Sequence, residues 1–264
     1  MKRGFSLVEL SIVLVILGLL TGGILAGQSL IRASELRAAS TEYQRYVAAG
    51  NTFRDRYFAI PGDFRDATRF WARLNTNADC VSNSGLAVAG TPGACDGNGD
   101  GLLSTAAAAS QSGEQYQFWR HLALAGLMEG SFSGLSGSGS AQHTVLGTNA
   151  PRSKLSNAGW SMQHIATPFG DTELYVLSYI FAFEFGAPVS NSRTFGRALK
   201  PEEAWNIDTK MDDGLPAQGN VIARFWNNAC AAANDGTHAN NDYAASYKLS
   251  DSSVQCALYF RNSF

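Results

Sequence analysis

Hydrophobic and polar positions fall into distinct regimes along the chain. From Phe5 to Ile31 they are almost all apolar or small, and among these 27 residues Glu9 is the sole ionisable side chain. At about 1.5 Å rise per residue the stretch makes about 40 Å of helix, more than the roughly 30 Å of a bilayer's hydrocarbon core. From Arg32 the pattern thins to one stripe, Leu36, Tyr43, Tyr46, Val47, Gly50, Phe53 and Tyr57. Their three- and four-residue spacing marks a helix with a single buried face. Together the two regimes predict one helix from about Ser6 to about Phe58, ended by Pro61-Gly62. Its first half belongs in an apolar medium and its second half on a globular domain.

Beyond Pro61, FRDATRFWARL reads as a short helix with Phe70, Trp71 and Leu74 on one side. A loop rich in Gly, Asn and Ser runs through Cys80 to Gly101, and EQYQFWRHLALAGLMEG predicts a helix carrying Tyr116, Trp119, Leu122 and Leu127 that ends near Gly130. SFSGLSGSGSAQ is a flexible or surface loop by composition. Strand patterns come late: ELYVLSYIFAFEF, NVIARFW and the terminal CALYF, rich in β-branched and aromatic residues. Helices followed by strands predict an α+β fold, a long N-terminal α-helix packed on a C-terminal domain with an antiparallel β-sheet.

Composition changes the picture in two places. Lys and Arg number 20 against 22 Asp and Glu, so no general basic field exists to hold a phosphate backbone, and no nucleic acid is expected as a partner. Lys2 and Arg3 precede the apolar stretch, which orients the N-terminus to the cytoplasm and the rest of the chain outside it. That compartment suits disulfides, and proximity favours Cys80 with Cys95 and Cys230 with Cys256. Neither pair is a CxxC, and no histidine lies at zinc-ligand spacing beside them.

The apolar stretch also invites reading as a secretory signal peptide cut near Ala26-Gly27. It is too long for an ordinary h-region, and a carboxylate within it is unfavourable by roughly 3 kcal/mol near a bilayer's centre, less near an end. Glu9 therefore calls for a cation.

Gly4-Phe5-Ser6-Leu7-Val8-Glu9-Leu10 resembles the cleavage and methylation motif of type IV pilins and of the pseudopilins of type II secretion. That resemblance implies cleavage between Gly4 and Phe5 by a prepilin peptidase and methylation of the new Phe5 amine. It implies, too, assembly with other pilin subunits on an inner-membrane assembly platform. Cleavage explains the carboxylate: the amine released at Phe5 is the cation that Glu9 of a neighbouring subunit can neutralise within a helix bundle of low dielectric. The expected organisation is a leader over 1–4, a transmembrane or filament-core helix over 5–31, an amphipathic extension over 32–58 and a periplasmic or surface domain over 59–264. Loss of Met1 to Gly4 removes Lys2 and Arg3, so the side-chain balance goes from 20 minus 22 to 18 minus 22. Many members of that family carry a helix-interior proline where this chain has Ala26, and the Gly22-Gly23 pair offers a different weak point. The spacings Gly18 to Gly22 and Gly23 to Gly27 suit close helix approach. More loosely, AIPGDFRDATRFW, EQYQFWRHLALAGL and IDTKMDDGLPAQGNVIA resemble patterns of a subgroup of large bacterial pilin-like proteins.

Two acidic turns are candidate cation sites. DGNGDG sets Asp96, Asn98 and Asp100 at alternating positions with Gly101 at the sharp turn, as in a calcium loop, but the twelfth position is Ala107 rather than Glu; Glu114 is a candidate for a later carboxylate. A structural calcium is the candidate cofactor, and a glycine-rich turn with solvated polar side chains is the alternative reading of the same residues. DTKMDDG offers Asp208, Asp212 and Asp213, and a polar turn before a strand accounts for it equally. No HExxH, GxSxG or P-loop occurs, and Gly97, Gly99 and Gly101 neither follow a strand nor open a helix as a dinucleotide loop does. His121, His143, His164 and His238 are scattered, so no enzyme is expected. The sequence thus predicts a filament subunit, a pilin or minor pilin, with a type II secretion pseudopilin as the alternative and a membrane-tethered periplasmic enzyme or binding protein as a third reading from another class. Length and elaborate loops favour a specialised or minor subunit, or a large decorated major one.

Overall fold

A computed structural model describes residues 7–71, 93–233, 236 and 239–264. Helix α1 (Leu7–Tyr57) runs unbroken for 51 residues, about 76 Å at the standard rise. It stays helical through Gly22 and Gly23, and ends where Phe58 takes a left-handed backbone (φ 52°) ahead of Pro61. Ala39, Glu42, Tyr46, Ala49, Gly50 and Phe53 are buried along its second half. Short α2 (Ala67–Trp71) and the longer α3 (Glu114–Leu124) follow. α3 stops six residues short of Gly130: backbone bonds from Ala125 to His121 and from Leu127 to Leu122 close its last turn, and Gly126 (φ 71°) turns the chain away.

The sheet order is β1-β2-β6-β3, formed by β1 (Gly159–Phe169), β2 (Leu177–Gly186), β6 (Leu258–Phe260) and β3 (Val221–Ala223), all antiparallel. Alternation sorts its residues between two faces. Trp160, Met162, Phe183, Phe185, Val221, Leu258 and Phe260 pack into the cluster shared with Tyr46, Phe53, Phe118 and Trp119 of the helices. On the opposite face Tyr179, Ala182, Ile222 and Tyr259 join Leu174 and Tyr175 in a second cluster. Buried Glu184 also lies there, its carboxylate held by Arg193 Nε at 2.9 Å and by Ser161 Oγ at 2.7 Å. Arg224 spans Asp171 at 3.1 Å and Glu173 at 3.0 Å, and donates to the Tyr259 hydroxyl at 3.1 Å. Buried ions on this face are thus paired and hydrogen-bonded, the condition for keeping them there.

α4 (Pro201–Met211) packs against α1, and a small ribbon of β4 (Ala231–Ala232) with β5 (Ser246–Tyr247) completes the fold. Three predicted strands appear, shortened to their paired cores. β1, α4 and the ribbon carry no strong pattern of their own in the sequence. The α+β class with a long N-terminal helix and an antiparallel C-terminal sheet is what the structure has. The Cys230–Cys256 disulfide ties the start of β4 to the turn before β6. Cys95 is also disulfide-bonded; Cys80, its expected partner, lies outside the described residues.

Candidate functional site

α1 divides at Arg32. Its first half has no buried residue within the apolar window, and Leu7, Leu19, Leu25 and Leu30 are each more than two-thirds exposed. By length and composition this helix can cross a membrane. Polar side chains in the stretch are satisfied by their own helix: Ser11 donates to the Val8 carbonyl at 2.8 Å, Thr21 to Leu17 at 2.8 Å and Ser29 to Ala26 at 2.8 Å. That local bonding is what a hydrocarbon medium requires of hydroxyls. A Cβ added to Gly18, Gly22, Gly23 or Gly27 would meet nothing within 4 Å, so the flat side those glycines make is open to another helix. Glu9 lies in the first turn, where the helix dipole favours a carboxylate. Gly4 and Phe5 lie outside the described residues.

The second half is fastened at two heights. Just past the apolar stretch, Arg32 reaches α4: Nε and Nη2 bind Glu203 Oε1 and Oε2, both at 2.6 Å, and Nη2 also donates to the Ala198 carbonyl at 3.3 Å. Burial works to raise the Glu203 carboxyl, but the Arg32 hydrogen bonds and the Lys200 amide leave it below its ordinary value; the Glu203 hydrogen bond holds Arg32 above its own. Ten residues on, buried Glu42 accepts Lys154 N at 2.8 Å on Oε1 and Trp160 Nε1 at 2.8 Å on Oε2. Neither anchor appears among the sequence-derived candidates. The signal for Glu42 was a carboxylate at the spacing of the buried stripe, between Ala39 and Tyr46.

Of the calcium-loop residues, Asp96 is engaged elsewhere: its carboxylate accepts Thr68 N at 2.7 Å and Thr68 Oγ1 at 2.8 Å at the start of α2. Asn98 Nδ2 donates to Asp100 at 2.8 Å. Asp100 meets Glu114 and Asp63 instead, each offering an oxygen within 4.8 Å of the others. Asp63 was missed by the sequence analysis. It receives Gly99 N and Gly101 N, while Glu114 receives Asn98 N at 2.9 Å and Ser104 N at 2.8 Å. Burial raises both carboxyls. The donor set of three carboxylates is one that a hard cation such as calcium accepts, and backbone N–H groups of the loop bind the Asp63 and Glu114 oxygens.

Asp208, Asp212 and Asp213 also converge within 4.8 Å. Asp208 is fully buried, accepts Tyr247 OH at 2.8 Å and Gly214 N at 3.2 Å, and burial pushes it up to about 7. Asp212 accepts Val221 N at 2.9 Å and Asp213 accepts Leu215 N at 2.8 Å, so the cluster shapes the turn into β3. His121 is a core residue: Gly62 N donates to its Nδ1 at 2.9 Å, Nε2 lies 3.0 Å from the Cys95 carbonyl, and burial lowers it to about 3. His143 and His164 are half-buried on separate elements; His238 lies outside the described residues.

Residues 1–25 match the prokaryotic N-terminal methylation motif, the prepilin cleavage motif of type IV pilins and pseudopilins. No curated protein and no solved structure matches the chain. The motif supports a pilin-like or pseudopilin subunit, implies processing by prepilin peptidase, and fits a membrane-anchored precursor.

Proposed function

We propose that this protein is a filament subunit, a pilin or minor pilin of a type IV pilus-like system. In this reading it is inserted in the inner membrane, trimmed at Gly4-Phe5, methylated on Phe5 and polymerised through the first half of α1. One observation carries it: the methylation motif opens a helix whose first 25 described residues, Leu7 to Ile31, have no buried position in the single chain. That much exposed apolar surface calls for bilayer or for a bundle of like helices. After processing, Glu9 faces the Phe5 amine of the next subunit and fixes its axial register. The protein's role is structural rather than catalytic.

Glu9→Ala tests the proposal in the native host. Filaments visible by electron microscopy should disappear while the domain keeps its melting temperature. Normal filaments from that variant, or mass spectrometry of the natural protein showing residues 1–4 retained, would defeat it. A structural calcium, if one is held, would sit on Asp63, Asp100 and Glu114 rather than on Asp96, and chelator-sensitive melting is its test.

A further inference from the structure

A cavity of about 310 Å³, lined by polar and apolar side chains in equal measure, opens between the loop over residues 152–158 and the segment over 143–146, a volume at the small end for ligand sites. Its chemistry is one-sided. Arg152 is exposed, and its side chain crosses Gly147, whose Cβ would fall 3.1 Å from Arg152 Nε. His143 accepts Gly139 N on Nδ1 at 3.0 Å, which leaves its ring proton on Nε2 as a donor. Asn157, in a left-handed turn (φ 57°), and Ser156 complete the polar wall. Among the described residues no carboxylate lines the cavity. The Arg152 guanidinium, His143 Nε2 and the side chains of Ser156 and Asn157 bond to no other described residue. Half-buried Val145 and exposed Pro188 supply an apolar side, over a floor closed by buried Leu155.

We propose that this cavity binds an acidic sugar unit, with a ring carboxylate on Arg152, ring hydroxyls on Ser156, Asn157 and His143, and the apolar ring face against Val145 and Pro188. A planar guanidinium matches a carboxylate by two parallel bonds. A guanidinium without a competing carboxylate beside it selects an anionic group, and the hydroxyl and amide of Ser156 and Asn157, which both donate and accept, suit sugar hydroxyls. The proposal stands apart from the filament reading, since it uses no part of α1.

Saturation-transfer NMR on the full-length protein in detergent micelles, with glucuronate, glucose, acetate and inorganic phosphate as probes, tests it. Glucuronate should bind about tenfold more tightly than glucose, acetate or phosphate, the ratio expected of one charge-assisted contact added to a ring that already fits. Arg152→Gln should remove that advantage and leave weak glucose binding unchanged. Ser156→Trp, which fills the cavity from an exposed position, should abolish the glucuronate signal at unchanged melting temperature. Equal binding of glucose overturns the role of Arg152, and equal binding of phosphate or acetate shows an adventitious ion only. Absence of glucuronate binding, or binding unaltered by Ser156→Trp, overturns the site.

Discussion

Replacing Glu42 tests whether α1 is fastened to the domain by a buried carboxylate. Glu42 is 6% exposed, and the indole it binds, Trp160, is fully buried. Glu42→Ala leaves two donors, Trp160 Nε1 and Lys154 N, facing an apolar gap. A buried donor left unmet costs about 1 to 3 kcal/mol, and bonds to a charged acceptor lie towards the upper end. The helix itself gains only a few tenths of a kcal/mol from alanine. The net loss should be about 3 to 4 kcal/mol, or about 6 to 16 °C in melting temperature for a domain of this size. Glu42→Gln is the sharper variant. Its amide offers one oxygen and one NH2 to two donors, so one donor still meets a donor and only part of the loss is recovered. Thermal unfolding of the full chain in detergent, followed by tryptophan fluorescence, reads both. A loss under about 1 kcal/mol for Glu42→Ala, or a glutamine variant as stable as the parent, would refute the assignment of Glu42 as the joint.

Asp208 should make stability fall as pH rises. Its folded carboxyl sits at about 7 against an ordinary aspartate value of 3.8, so its contribution is fully present below the unfolded value and is lost as pH climbs through the folded one. The stability of the parent relative to Asp208→Asn should fall by about 2 kcal/mol between pH 5 and pH 7 in urea titrations; a flat difference rejects the buried protonated acid. His121 works in the opposite sense. Lowered to about 3, it stabilises the fold above the ordinary imidazole value of 6.5, and that support fades as pH drops, by about 2 kcal/mol at pH 5. Nitrogen NMR should find a neutral ring protonated on Nε2 at pH 5, and a ring titrating near 6.5 would contradict its burial. Gly97→Ala should destabilise by about 3 kcal/mol or more, because its Cβ would lie 2.4 Å from Asp63 backbone atoms that cannot swing aside; a melting temperature within a degree of the parent would show the loop to be loose.

Much of this was legible in advance because periodicity and motif act locally. The 51-residue helix followed from an apolar run joined to a stripe, and α3 from Tyr116, Trp119 and Leu122. What escaped was long-range. β1 reads GWSMQHIATPF; Met162 and Trp160 face the helices while Ser161 and Gln163 serve the Glu184–Arg193 network across the sheet, so its alternation is visible only once that network is known. α4 has Lys200 as its cap residue rather than Ser, Thr or Asp, which removes one of the usual start signals and leaves only Pro201 and Glu203 to mark it. Asp63 sits in a Pro-Gly-Asp turn 33 residues before Asp96 in the sequence, and spacing rules see no further than one loop. In DGNGDG the alternating carboxylates suggested a loop closing on itself, whereas the fold spends Asp96 on α2 and turns Asp100 towards Asp63 and Glu114.

The two anchors on α1 bear on how its exposed half can work. A helix held only by its apolar stripe could roll by several tens of degrees over a smooth core, and the glycine face over 18–27 would then point in no fixed direction. Arg32 and Glu42 prevent this because each is bound by two directional contacts, to α4 in one case and to β1 and its preceding loop in the other. Ten residues apart, they lie about 15 Å from each other along the axis, enough to fix tilt as well as rotation. Arg32 is also the first charge after Ile31, so the level at which the helix leaves its apolar surroundings coincides with the level at which the domain grips it. The direction of the glycine face is therefore set by the domain, and α1 can present the same side to every neighbour.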